Sequence, residues 1–512
     1  MTKHSITLFL ALFVHQLYCQ TIIYVSPTGN ASVNGSSISQ PTTLANAVTL
    51  ATTAGVTIYL RGGTYTLSST QSISAALSGT ASNLKKLFAY PGDSRVILDF
   101  SSMAFSSSNR GMSVAASYWH IKGIDFYKAG DNGMFMSGSN NIIEFCYFYE
   151  NQDTGLQMGG GASNNQVINC DAYYNIDPSQ GNADGFAVKL DVGTGNSFVG
   201  CRAWQNSDDG WDGYMRPSDD VSTTLDNCWA FKNGYLKSGA VATSGNGNGF
   251  KMGGSDGKDL RHNFTLTRCL AFQNKANGYD QNSNLGNITL LNCTAFNNGK
   301  NYRYDLALAT GKLYIAKNCI SAGTGGLSSW FTTTPPAPAT PVVQATNTWT
   351  TGFTVTNADF VSIDPAAAFG ARKADGSLPD ITFMHLVPTS SLINRGTDVG
   401  LPFSGTAPDL GCFETVSRVG VQNVSATLQS ITVFPNPAVD ELNVRFYAIH
   451  TLPFLTVKVF NSLSQQVWAM DFAHITEGVH KQLLPIHLLP KGAYFLALST
   501  ENEQILTPFL KQ

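Results

Sequence analysis

Apolar residues in this chain come in short runs, each cut off by glycine, asparagine or serine. Val96-Ile-Leu-Asp-Phe, His120-Ile-Lys-Gly-Ile-Asp-Phe, Asn141-Ile-Ile-Glu-Phe and Asn287-Ile-Thr-Leu-Leu-Asn all have this form. Such runs between turn residues read as strands. The N-terminal part reads as a cap: a strand at Thr21 to Val25, a short apolar helix from Leu44 to Ala54, and a first coil at Thr57 to Tyr65. Beyond it the runs obey a repeat. The unit Cys-x-x-x-x-Asn occurs at Cys146/Asn151, Cys170/Asn175, Cys201/Asn206, Cys228/Asn233, Cys269/Asn274 and Cys293/Asn298. Successive cysteines are 24, 31, 27, 41 and 24 residues apart. The shortest interval fits one coil of a right-handed parallel β-helix, and the longer ones are that coil with a loop inserted.

Stacked coils align like residues in ladders along the axis. A cysteine ladder fills a core with small apolar groups. Neighbouring coils lie about 4.8 Å apart, so disulfides are a competing use, but an unbroken column reads better as packing. An asparagine ladder belongs at a bend, its amides bonding one another and exposed backbone. Residues 325–416 hold a Pro/Thr-rich loop (Thr332 to Thr340) and a tail expected to pack along the coils.

Composition supports this reading. Charged residues make up 13% of the 512, about half the usual share. Glutamate is absent from residues 151–413, so that stretch cannot hold many surface helices. A net charge of -3 argues against nucleic acid as a partner. A hydrophobic content of 43% argues against disorder.

The two ends differ from the middle. Residues 1–20 read as a secretory signal peptide: Lys3 and His4, then Ile6 to Val14, too short to span a bilayer. A lipid-modified Cys19 is an alternative that Leu17-Tyr18 fits poorly. Residues 417–430 are small and polar, a linker. After them come Ile431-Thr-Val-Phe-Pro435-Asn436-Pro437, Leu455-Thr-Val457-Lys-Val459-Phe and Gly492-Ala-Tyr494-Phe-Leu496, which predict a β-sandwich over 431–512. The expected fold class is all-β, a parallel β-helix over 21–416 followed by this small domain. The last three phrases resemble the C-terminal sorting domain of the type IX secretion system of Bacteroidetes. That resemblance implies export, with the product secreted or held at the cell surface.

A second landmark follows each asparagine, a glycine before an apolar residue: Gly133-Met134, Gly155-Leu156, Gly185-Phe186, Gly210-Trp211, Gly249-Phe250 and Gly278-Tyr279. Aligned on these glycines, the preceding column reads Asn132, Thr154, Asp184, Asp209, Asn248, Asn277, with Asp208 one place further back. Two places after the glycine it reads Phe135, Gln157, Ala187, Asp212, Lys251, Asp280. Period-2 alternation turns Trp211 and Phe250 inward, and Asp212 and Lys251 outward. Four carboxylates, Asp184, Asp208, Asp209 and Asp212, thus converge on two adjacent coils with Lys251 beside them. Bunched acids repel unless something neutralises them. All-oxygen ligands of flexible geometry suit Ca²⁺ better than Mg²⁺, and zinc would call for cysteine or histidine. A solvated acidic turn is the plainer alternative.

The motifs Gly181-Asn-Ala-Asp184-Gly-Phe, Asn206-Ser-Asp208-Asp209-Gly-Trp-Asp212 and Gly247-Asn-Gly-Phe-Lys251 resemble polysaccharide lyase family 9. The resemblance spans roughly residues 21–416 and implies a β-helical pectate lyase. It implies that Asp184, Asp208, Asp209 and Asp212 hold a catalytic calcium and that Lys251 is the general base. The expected substrate is an acidic plant cell-wall polysaccharide, pectate or rhamnogalacturonan I, and the expected state a monomer. Lys189 rivals Lys251 if the coils align on Lys-Leu and Lys-Met instead of glycine. Lys189, Arg216 and Lys237 are candidates for a substrate carboxylate, and Trp204 and Tyr214 for stacking on sugars. A hydrolase would need paired carboxylates without a metal, and a β-helical adhesin would have no use for Lys251 among four acids.

Overall fold

The computed structural model describes residues 21–333, 341–350, 352–415, 428–461, 465–500 and 504–512. The chain divides into two compact units, Met1–Thr415 and Val416–Gln512. The signal peptide expected over 1–20 lies outside the described residues, as does most of the expected linker.

The first unit is a parallel β-helix. Each coil passes one strand to a 12-stranded sheet, the next to a 10-stranded sheet and the third to a 9-stranded sheet, all pairings being parallel. The cysteine column stands at the corner between the first two sheets, and the asparagine column at the corner between the second and third. At each corner the residue before the cysteine or asparagine is left-handed, with φ 52° at Asn169 and 49° at Gln205. The eight described cysteines are all free and buried. The thiols of the cysteines in the column donate to carbonyls two residues back, as Cys170 does to Ile168 at 3.3 Å. Packing is therefore the use made of the column. It runs one coil further than the repeat suggested, to Cys319, which lacks an asparagine five residues on.

The asparagine ladder is continuous. The side-chain amide of Asn151 donates to Asn175 at 2.9 Å, Asn175 to Asn206 at 2.9 Å, Asn206 to Asn233 at 3.0 Å and Asn233 to Asn274 at 3.0 Å. Each amide also donates to a strand carbonyl, as Asn206 does to Ala172 at 3.1 Å. The glycine column is its counterpart. A Cβ on Gly185 would lie 2.9 Å from the Asn206 amide nitrogen and 2.8 Å from the Gly210 carbonyl; one on Gly210 would lie 2.7 Å from the Asn233 amide. Asparagine and glycine are thus a single interlocking device. A second ladder, Asn141, Asn165 and Asn196, holds the corner between the third and first sheets, with Asn165 donating to Asn196 at 3.0 Å. Its members each stand five residues before a cysteine, a period visible in the chain but not singled out above.

The capping helix spans Leu44–Leu50 and is shorter than the apolar run. Thr43 caps it by accepting from the Asn46 N–H, and it ends at Ala51, which leaves the helical conformation and donates its N–H to the Val48 carbonyl. The tail lies on the outer face of the 10-stranded sheet, where Phe360, Phe383, Met384 and Leu386 cover Trp229, Leu270, Phe272 and Phe296. Arg372 of the tail and Arg202 both clamp the buried Asp171, each at 2.7 Å. Trp204 is stacked between Tyr173 at 4.3 Å and Phe231 at 5.5 Å and is buried. It packs the ladder and is not a sugar platform.

The second unit pairs Leu428–Phe434, Glu441–Ala448 and Gly478–Pro485 in one antiparallel sheet. A second antiparallel sheet is built from Leu452–Asn461, Gln466–Ile475, Gly492–Ser499 and Gln504–Lys511. Leu442, Val444, Val457 and Leu496 are buried together in its core. Its first strand begins at Leu428, three residues earlier than the motif suggested.

Replacing Asn206 by alanine removes the acceptor of the Asn175 amide and the donor to Asn233 and Ala172. Buried polar groups left unpaired cost about 1–3 kcal/mol each, so a loss of several kcal/mol is expected in denaturant unfolding. A variant as stable as wild type would show the ladder to be dispensable.

Candidate active site

In the 9-stranded sheet Phe186, Trp211, Phe250 and Tyr279 stack on one another inside the helix, 5.0 to 5.2 Å apart. Because alternate residues face opposite ways, the next column must point out. Backbone pairing places Ala187 beside Asp212, Asp212 beside Lys251 and Lys251 beside Asp280. The glycine alignment is thus the register of the sheet. Lys189 lies two residues beyond this column and does not stand above Lys251.

Asp184, Asp208 and Asp209 each present a carboxylate oxygen within 4.8 Å of the others, and all are buried. Asp184 accepts from the Asp209 N–H at 3.2 Å and from Thr154 Oγ1 at 3.2 Å. Asp209 Oδ1 accepts from the backbone and side-chain amides of Asn248, at 2.7 and 2.9 Å. Asp208 accepts from the Asn246 N–H at 2.6 Å and Asp212 from the Tyr214 N–H at 3.0 Å. Lys251 Nζ stands 3.1 Å from Asp209 Oδ2 and 3.3 Å from Asp212 Oδ1. Lys189 Nζ stands 2.7 Å from Asp184 and 3.4 Å from Asp212. Asp212 is therefore held between two ammonium groups, while the other three aspartates form the tight cluster.

The electrostatics separate the four acids. Burial and the charges of Asp212 and Asp209 push Asp184 up to about 7, against the pull of Lys189. Burial and the charges of Asp209 and Asp184 push Asp208 up to about 9. Burial raises Asp209 as well, against the pull of Lys251. Burial would also raise Asp212, but Lys251 and Lys189 outweigh it and hold it below the ordinary value. For Lys251 burial opposes the charge, yet Asp212 and Asp209 hold the ammonium well above its usual range. The two lysines do not compensate this cluster. Asp209 Oδ2 is buried, accepts no hydrogen bond and has Lys251 as its ion-pair partner. An all-oxygen set short of positive charge, with such an oxygen, fits a hard divalent cation.

The site opens into a groove of about 470 Å³ lined by Lys251, Lys189, Asp208, Asp212, Tyr214 and Arg216, among others. Arg216 is exposed at its rim and bonds Asp256 at 2.6 Å, as does the Tyr214 hydroxyl. Lys237 is elsewhere. It pairs with Glu150 at 2.5 Å and lines a separate pocket with Tyr174 and Lys128, because it sits near the start of an inserted loop of which the far end, at Asn246, is what meets Asp208. Lys237 is thereby corrected as a candidate for substrate at this site. Thr154 and Asn248 stood in the sequence columns, but only their hydrogen bonds show that they brace Asp184 and Asp209.

The family model described as Pel9A-like, right handed beta helix region, matches residues 23–318. The chain belongs to this Pel9A-like family. Pectate lyase L of Dickeya dadantii (strain 3937) is 38% identical over 401 residues, covering 77% of this chain and 90% of the relative. Pectate lyase L of Paenibacillus polymyxa (strain SC2) is 39% identical over 399 residues, covering 74% and 84%. The crystal structure of pectate lyase Pel9A superposes with a TM-score of 0.70 at 37% identity, covering 77% of this chain and 96% of that one. A solved rhamnogalacturonan lyase gives 0.59 at 26% identity, covering 72% and 97%. The Pel9A-like chain is an enzyme, a polysaccharide lyase. Residues 432–512 match the secretion system C-terminal sorting domain, so it is exported through the type IX system, to the medium or the cell surface.

Raised carboxyl pKa values link folding to pH. Asp184 and Asp208 hold protons in the folded chain that an unfolded carboxylate releases near 3.9. Their contribution to stability is complete below that value and is lost as pH rises through about 7 and about 9. In chelator, the melting temperature is expected to fall over this range and to fall less in Asp208→Asn. Equal pH profiles for the two proteins would contradict the assignment.

Proposed function

We propose that the chain is a calcium-dependent pectate lyase with Lys251 as general base and Asp184, Asp208, Asp209 and Asp212 as calcium ligands. The observation that carries this reading is Lys251 Nζ, 3.1 Å from Asp209 and 3.3 Å from Asp212, facing the groove beside an under-compensated carboxylate cluster. When bound, calcium supplies positive charge that offsets both the aspartates and a substrate uronate, making the proton alpha to that carboxylate more acidic. The neutral Lys251 amine takes that C5 proton, the C5–H electron pair becomes the C4–C5 double bond, and the C4–O bond breaks, its oxygen leaving with the bond pair and taking a proton from water. Asp209 and Asp212 aim the amine.

Those same aspartates keep Lys251 protonated while their charge is free. Lys251 must lose its proton to act, so activity should climb with pH to an alkaline optimum. Lys189 has a different role. It donates a hydrogen bond to Asp184 at 2.7 Å and spans to Asp212, so it positions two ligands. Arg216, at the rim, is a candidate for a distal uronate. Residues 1–20 serve as the signal peptide, and the enzyme acts as a monomer.

The test is the ultraviolet absorbance of unsaturated product from polygalacturonate, with chelator and then with calcium restored. Absorbance that vanishes with chelator and returns with calcium is expected; reducing ends without absorbance would mean hydrolysis. Rhamnogalacturonan I belongs in a parallel assay, given the weaker likeness to a lyase for that polymer. Lys251→Ala should lower kcat at least 10²-fold, of the order of a lost general base, with calcium affinity by calorimetry retained. Full activity would hand the role to Lys189 or another group.

A further inference from the structure

We propose that Arg110 forms a uronate-binding subsite at the far end of the catalytic groove, an inference that rests on the pectate-lyase reading. Arg110 immediately precedes Gly111, and coil-to-coil hydrogen bonds place it in the aspartate column. The Gly111 N–H donates to Asn132, Gly133 to Thr154, Gly155 to Asp184, Gly185 to Asp209 and Gly210 to Asn248. Arg110 thus stands three coils from Asp184 and five from the coil of Lys251, a span of about 24 Å at roughly 4.8 Å per coil. Both ends line one continuous groove, with Asn132, Asp153 and Gln157 between them. A pyranose residue in an extended polymer is about as long as one coil is thick, so a bound chain lays roughly one sugar on each coil.

The side chain is built to present its guanidinium. Its central carbon lies 3.7 Å from the centroid of the Phe135 ring, which holds the plane in place. Phe135 belongs to the outward column of Gln157, Ala187 and Asp212. The Arg110 Nε reaches Asp131 at 3.4 Å, the long end of hydrogen bonding. Among the described residues its terminal amino groups carry no hydrogen bond. A planar fork with two free amino groups matches a carboxylate bidentately, which a lysine could not. In a groove rich in carboxylates, it offers a distant uronate a favourable contact. The ligand class is a polyuronate long enough to reach both Lys251 and Arg110.

The experiment compares kcat/KM for tri- and octagalacturonate in wild type, Arg110→Gln and Arg110→Lys. The trimer cannot span the two residues; the octamer can. The advantage of octamer over trimer should fall about tenfold in Arg110→Gln, the worth of a charge-assisted pair, and recover only in part in Arg110→Lys. Cleavage of the trimer by the variants shows that they fold. An unchanged octamer-to-trimer ratio in Arg110→Gln would overturn the subsite while leaving the lyase reading intact. A wild-type enzyme that cleaves neither oligomer would instead remove the pectate reading, and the subsite with it.

Discussion

Everything in the helical unit depends on how closely one coil can lie on the next. The asparagine amide at each corner bonds both the amide above it and a strand carbonyl, and the glycine beyond it leaves no Cβ to hold the coils apart. A side chain at Gly185 or Gly210 would push against both the next amide and the next backbone. The pairing satisfies polar groups that a corner would otherwise bury without partners. It also makes the third sheet start in register on every coil, whatever loop was inserted before it.

The same regularity creates the chemistry. Stacking like positions also stacks like charges, and in this sheet it gathers Asp184, Asp208 and Asp209 where burial already penalises a charge. Lysines on neighbouring positions meet part of that cost, and hydrogen bonds from Thr154, Asn246 and Asn248 meet more. The remainder is left as carboxyl groups that cling to protons into the neutral and alkaline range. A cluster strained in this way is short of positive charge, and the adjacent coil sets the Lys251 ammonium beside it. The outer face of the second sheet shows the opposite use of a ladder, since its aromatic column from Trp204 to Phe296 is sealed beneath the tail.

Much of this was legible along the chain, because a solenoid writes its third dimension as a period. The Cys-x-x-x-x-Asn unit showed the coil, and the glycine alignment predicted that Asp212 would stand beside Lys251, as it does. The Asn141, Asn165 and Asn196 ladder was equally periodic but spans three coils, too few to stand out. Lys237 misled because it sits in an inserted loop, where the period gives no information about direction. Arg110 lies before the first recognised repeat, so no column reached it.

What the chain determined by itself is the stacking: which residues share a column and which face of the strand they take. That follows from local hydrogen bonding and alternation, repeated at each coil. What only the tertiary structure decided is the set of distances within and between columns. Lys189 turned out to be pinned between Asp184 and Asp212, Thr154 and Asn248 to brace Asp184 and Asp209, and Trp204 to be covered by a tail more than a hundred residues away. These outcomes depend on side-chain reach and on loops whose course no period encodes. The architecture is therefore local information repeated, and the charge balance of the site is a property of the assembled stack.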